Sequence, residues 1–216
     1  MSRKRKGRID KHKQQALIIG RVWPTVRRYA NIEAKPILIE IKNRTRKTDQ
    51  IVRKALINYM IIRSMAMLEH FLVNELKKFV DQYTNKIDLA DFITNPSDFK
   101  KDSKSKVLIS SFSYSNPKDI QFVFSRLLHI NFFDEIKQES KEYAPYFSLE
   151  QEHIPYTKPI HKNWNELMQI FKLRHDIVHH NKLVNLQYHK IRNFVGGMMH
   201  MVHCADMVIH FRRRIF

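Results

Sequence analysis

WNELMQIFKLRHDIVHHNKL (164 to 183) is the stretch on which the reading of this chain turns. At about 100° per residue, Ile177, Ile170, Leu167, Val178, Phe171, Trp164 and Met168 fall on one continuous arc, with Lys172, Asn165, Asp176, Gln169 and His180 on the other side. This predicts an amphipathic helix from about 163 to 181. Arg174 lies inside the apolar arc, and His175 and His179, four residues apart, share its edge. A charge on a face bound for the core is costly unless something meets it. The partner is then either a carboxylate of the protein or a phosphate from outside.

A carboxylate is available. From Ile51 to Val80 apolar residues recur three and four apart (Ile57, Ile61, Met65, Leu68, Leu72, Leu76, Phe79), the pattern of a long helix, and Glu69 is embedded in that apolar face. Either charge alone would be expensive to bury, whereas a hydrogen-bonded carboxylate-guanidinium pair offsets much of the cost. Glu69 and Arg174 are therefore expected to meet between these two helices. Such a pair is consistent with a device that only fixes helix register, but the histidines and aspartate that follow Arg174 are a costly density of titratable groups unless the helix end lines a site.

The rest of the chain supplies two more long helices. Asn116-Pro117 starts one running to about Ile130, and another spans about Leu186 to Arg213, ending on basic residues that suit a helix C-terminus. A shorter segment covers Phe132 to Ser140. Asn95 to Asp119, rich in Ser, Lys and Asn, reads as a solvated loop in which Val107 to Ile109 can pack; Lys141 to His161, with three prolines and no period, reads as a long irregular connection. The expected architecture is all-α: an up-and-down bundle of four main helices with a basic N-terminal extension. Within the last helix, Gly196-Gly197 marks close packing or a kink, and His203, His210 and Arg192 form a polar stripe read as solvated or partner-facing.

Composition agrees. Four glycines in 216 residues with 43% hydrophobic content favour helices over strands. The single cysteine, Cys204, excludes an internal disulfide framework and paired-cysteine zinc sites, and fits a reducing, cytoplasmic setting. No apolar run approaches about 18 residues, so no membrane partner is expected. Charge is lopsided: of the net +18, residues 1 to 54 hold 17 Lys/Arg against 4 Asp/Glu, and the remainder 22 against 17. Residues 1–50 are taken as the basic extension and 51–216 as the folded domain. Within the former, IGRVWPTVRRY and PILIEIK are compatible with short helices, a strand or an arm laid over the core. A basic arm concentrates polyanions by releasing their counterions, which marks Arg3, Lys4, Arg5, Lys6 and Arg8, with His180 and Lys182, as candidate RNA contacts.

Arginine, four residues, histidine at the end of a late helix in an all-α bundle resembles the signature of the HEPN superfamily. SMAMLEHFLVNEL (64 to 76) is similar to the first HEPN helix with its inward acidic residue, and NPKDIQFVFSRLLHINFFDEI (116 to 136) resembles the second-helix region of the RiboL-PSP-type subgroup. Many HEPN members are metal-independent endoribonucleases. The resemblance implies cleavage by the substrate's own 2′-hydroxyl, leaving a 2′,3′-cyclic phosphate and a 5′-hydroxyl, with no metal and no cofactor. His179 would serve as acid/base and Arg174 as phosphate clamp, chemistry that a metal-free attack on phosphorus requires. The family commonly has a polar residue after the arginine; here His175 or Asp176 fills that supporting role, and Glu69 aims the arginine. Five residues of helix rotate about 140° and rise about 7.5 Å, which separates Arg174 from His179; the resemblance implies two copies facing each other with their paired motifs in one cleft, so a two-fold homodimer is expected. The resemblance also implies toxin or antiphage duty under a separate regulator or antitoxin. Two other classes remain open. One is a non-catalytic RNA-binding HEPN module acting with a partner protein. The other is a metal-binding protein using His175 and His179 with His200, His203 and Cys204.

Overall fold

A computed structural model describes residue 26 and residues 28–96, 101–147 and 159–212, side chains of 143–147 and 212 excepted. Seven α-helices account for most of them, and among the described residues no strand occurs. They are α1 (Lys35–Asn43), α2 (Gln50–Gln82), α3 (Lys104–Ser111), α4 (Pro117–Leu128), α5 (Phe132–Phe147), α6 (Trp164–His180) and α7 (Tyr188–Arg212). The four long helices expected from periodicity are α2, α4, α6 and α7, each within a few residues of its expected ends.

The bundle is organised around α7. Every residue from Phe194 to Ile209 is buried, so this helix lacks a solvated face along most of its length. Helices α1, α2, α5 and α6 pack around it. His203 is therefore only 3% exposed and His200 fully enclosed, which overturns the expected solvated stripe; of its other members, Arg192 and His210 are half-buried. A polar residue every few positions looks like an outer face on a wheel, but a helix wrapped on all sides has none. Gly197 marks the closest approach in this packing. A Cβ there would sit 2.6 Å from Leu167 Cδ1, so the glycine lets α7 press against α6.

The core begins before residue 51. A π-helical turn, Tyr29–Ala34, leads straight into α1, and Tyr29, Ala30, Ala34, Leu38 and Ile41 are buried in the same cluster as α2 and α7. Polar contacts pin this segment: the Tyr29 hydroxyl lies 2.9 Å from Ser64 Oγ, and Arg63 donates through Nε and Nη2 to Glu33 Oε2 at 3.0 and 2.7 Å. PILIEIK is thus a helix laid over the core. Arg3, Lys4, Arg5, Lys6 and Arg8 lie outside the described residues.

Two further expectations are revised. The presumed loop from 95 to 119 contains α3, which buries Val107 and Leu108 against α2; Ser103 caps it by accepting from the Lys106 amide. One turn of apolar residues among serines and lysines is too short to show a period. The connection expected from 141 starts later, because α5 continues to Phe147 with Pro145 in its last turn. One helical stretch, Lys47–Gln82, is by length and composition apolar enough to cross a membrane. Its inward residues, Ile57, Met60, Ile61, Met65, Leu68, Leu72 and Leu76, are buried in the bundle core.

Candidate active site

Helix α6 carries most of the site and is fixed at its exit. Asn181 adopts a left-handed conformation (φ 49°), and its N–H and that of Lys182 both turn back to the Asp176 carbonyl, ending the helix immediately after His180. The following segment is held along α2. Asn58 donates to the Lys182 carbonyl at 2.8 Å and accepts from the Val184 amide at 3.0 Å, while Arg53 reaches Asn185 Oδ1 and the Leu186 carbonyl. Together with Glu69 opposite Arg174, these contacts run α6 antiparallel to α2.

The expected pair forms. Arg174 Nη2 lies 3.4 Å from Glu69 Oε1. Two details differ from the sequence expectation. Both side chains are about a quarter exposed, so the pair sits at the rim of the core, and the contact is an ion pair in which Glu69 Oε1, itself shielded from solvent, accepts no hydrogen bond from the described residues. Burial pushes the Glu69 carboxyl above its usual range, and the Arg174 charge only partly counters this. An arginine whose carboxylate is not hydrogen-bonded to it keeps its N–H fork available for another oxyanion.

Arg174, His175 and His179 line one open groove of about 710 Å³, so the rotation expected to separate Arg174 from His179 does not keep them out of one groove within a single chain. The His175 and His179 ring centroids are 4.5 Å apart, and His180 packs edge-on to His175 at 5.7 Å. Asp176 faces elsewhere: its Oδ2 accepts from Lys182 Nζ at 3.1 Å, and that hydrogen bond holds its carboxyl below the usual carboxylate range. Of the two candidates for the supporting role, His175 is thus beside His179, whereas Asp176 and Lys182 pair with each other. Val178, placed on the apolar arc by the wheel, is exposed.

The groove has features that the motif does not reveal. Lys172 lines it beside Arg174, and its far wall is the turn before α4, with Ser113, Ser115, Asn116 and Pro117. That wall is rigid. The buried Tyr114 hydroxyl donates to the Leu108 carbonyl at 3.0 Å, the Ser113 amide donates to Asp119 Oδ2 at 3.0 Å, and Asn116 Oδ1 caps α4 by accepting from the Lys118 amide. Burial raises the Tyr114 phenol above its ordinary value, so it stays protonated and donating. The only advance signal of this wall was Asn116-Pro117, a cap and first-turn proline; nothing in the sequence aimed it at α6.

The metal alternative finds no support in this geometry: among the described residues no group of three His, Cys, Asp or Glu side chains is placed to hold an ion. Cys204 is a free, buried thiol whose deprotonation is disfavoured by that burial.

An all-α bundle with an arginine and a histidine at the end of a late helix, the arginine facing an acidic residue on the long helix α2, defines a HEPN-type domain. A family model described as RiboL-PSP-HEPN matches residues 29–209, and the chain belongs to that family, a group of RNA-related, nuclease-type domains. No curated protein and no solved structure matches the chain.

Proposed function

We propose that this protein is a metal-independent endoribonuclease acting in the cytoplasm. The observation that carries the reading is that Arg174, His175, His179 and Lys172 line one groove while Glu69 touches Arg174 from behind. Arg174 holds the scissile phosphate and meets the charge that develops on it. His179 moves the proton of the attacking 2′-hydroxyl or of the leaving 5′-oxygen. His175, 4.5 Å away, orients that imidazole, and Lys172 adds positive charge along the strand. The products are a 2′,3′-cyclic phosphate and a 5′-hydroxyl. The basic residues near the N-terminus, Arg3, Lys4, Arg5, Lys6 and Arg8, together with His180, gather RNA by long-range attraction.

The reading extends to a homodimer. Val178 and Leu183 are exposed beside His179, and Tyr59 and Ile62 are exposed on α2 where Asn58 binds the segment after α6. This apolar fringe next to the histidines suits a second copy whose own groove residues adjoin these. Toxin or antiphage duty, with a separate regulatory protein or antitoxin, fits an RNA-cutting activity that a cell must restrain.

The test is cleavage of total RNA in excess chelator by wild type, Arg174→Ala and His179→Ala. Wild type should cut, leaving cyclic-phosphate ends. Removing the acid/base group should slow cleavage by about 10²–10⁴-fold. Cleavage that needs added divalent metal, or that survives loss of His179, overturns the mechanism. If wild type binds RNA and cuts none, the non-catalytic RNA-binding module takes its place.

A further inference from the structure

Beyond the far wall of the groove, an exposed phenylalanine and an exposed arginine, Phe122 and Arg126, are backed by two half-buried phenylalanines, Phe92 and Phe112. Phe112 immediately precedes groove-lining Ser113, and its ring lies 5.6 Å from that of Phe122, on α4. Phe92 stands edge-on behind Phe122 at 6.4 Å, and the Arg126 guanidinium lies over the Phe122 ring at 5.3 Å. Phe122 is 37% exposed, and Arg126 is exposed with no carboxylate partner among the described residues. Phe112, next in the chain to groove-lining Ser113 and in ring contact with Phe122, joins the cluster to the edge of the groove.

Resting on the RNA-cleaving reading of the groove, we infer that Phe122 and Phe112, with Arg126, form a stacking platform for an unpaired nucleobase of single-stranded RNA next to the bond that is cut. The groove's own lining offers cations and small polar groups for backbone; its Phe171 is buried, and its imidazoles, His175 and His179, are engaged in the chemistry at the scissile phosphate. Recognition of single-stranded RNA ordinarily combines a cationic track with aromatic or arginine faces that hold bases, and the cluster supplies the missing half. Arg126 is already placed over a ring by a cation-π contact and keeps its N–H edge for a base or phosphate oxygen. The platform makes the enzyme select unpaired RNA, because a base held in a duplex cannot reach it.

The experiment measures binding of short fluorescein-labelled RNAs by anisotropy in a His179→Ala background, so that the readout does not depend on cutting. Salt is raised to suppress the phosphate term. Phe122→Ala should weaken single-strand binding about five- to tenfold, the lower part of what stacking one base contributes. Phe122→Trp should restore it. The Phe122→Ala effect should disappear for one member of a series of RNAs carrying a single abasic site, and should be absent for duplex RNA. Unchanged single-strand binding by Phe122→Ala overturns the inference, as does a loss that is equal on every abasic RNA or that Trp fails to restore. Wild type that cuts nothing, yet shows the base-dependent Phe122 effect, defeats the cleavage reading and leaves the platform standing.

Discussion

Two histidines enclosed in the centre of the bundle make the fold sensitive to mild acid, and the size of the effect follows from their burial. His200 is pushed down from 6.5 to about 3 by desolvation, with repulsion from His203 and His161 adding to it; His203 is pushed down to about 4 by desolvation. Both are neutral when folded at neutral pH, and both take up a proton near 6.5 once unfolded. Their contribution to stability is therefore complete above 6.5 and is lost progressively as pH falls from there toward the folded values. At pH 5 both folded values have not yet been reached, so the loss depends only on the 1.5 units below 6.5. It is about 2 kcal/mol for each histidine and roughly 4 kcal/mol for the pair, out of the 5–15 kcal/mol that a domain usually has. Burial also lowers His161, which adds in the same direction. The depressed carboxyl of Asp176 acts only at lower pH. Urea unfolding at pH 7 and pH 5, compared between wild type and a His200→Leu/His203→Leu variant, isolates the effect. Wild type should lose several kcal/mol between the two pH values, and the variant much less. A double variant with the same pH dependence as wild type would refute the reasoning, because it would mean that these imidazoles are protonated, or reachable by water, inside the fold.

Two further substitutions probe the contacts that shape the site. Gly197→Val drives its side chain into Leu167, where even a Cβ would stand 2.6 Å from Cδ1, and should destabilise by about 1–3 kcal/mol; adding Leu167→Ala should cost less than the sum of the two single changes, measured by urea unfolding. Glu69→Gln removes a carboxyl whose pKa burial has raised. The wild-type group favours the fold at low pH and loses that contribution as pH rises through the raised value, so the melting temperature of the variant relative to wild type should increase from acid to neutral pH. The same variant should cut RNA more slowly, because Arg174 loses the charge that aims it; wild-type cleavage by Glu69→Gln would show that the pair is only structural.

The α2–α6 pair was legible in the sequence because it is a matter of phase. Charged residues at the same depth in two apolar arcs stand out on a wheel whatever the tertiary arrangement, and Glu69 and Arg174 do meet. The wheel failed where a helix's surroundings, and not its pattern, decide exposure. Val178 sits on the apolar arc but is exposed, and His203 sits on a polar stripe but is buried because four helices enclose α7. The packing of residues 29–43 on the core is hard to read from sequence for a related reason. Net charge describes residues 1–54 as a block, whereas 29–43 carries two Lys against two Glu, and its apolar Tyr29, Ala34, Leu38 and Ile41 fasten it to the core.

The groove carries this distinction into function. Its α6 wall is a repeating helix with a motif at fixed spacing, so its chemistry can be read one residue at a time. Its other wall is a short turn whose shape depends on Tyr114 reaching Leu108 and Asp119 holding the Ser113 amide, contacts with no period to betray them. Bond-breaking groups on the helix and strand-facing groups on the turn can then vary independently. Changes at Ser113, Ser115 or the Phe112–Phe122 edge should alter which RNA is bound while leaving Arg174 and His179 in place, and changes at Arg174 or His179 should abolish cleavage without altering which RNA is held. Parallel loss of both properties on substituting the turn would mean that the two walls form a single unit and that the groove closes around its substrate.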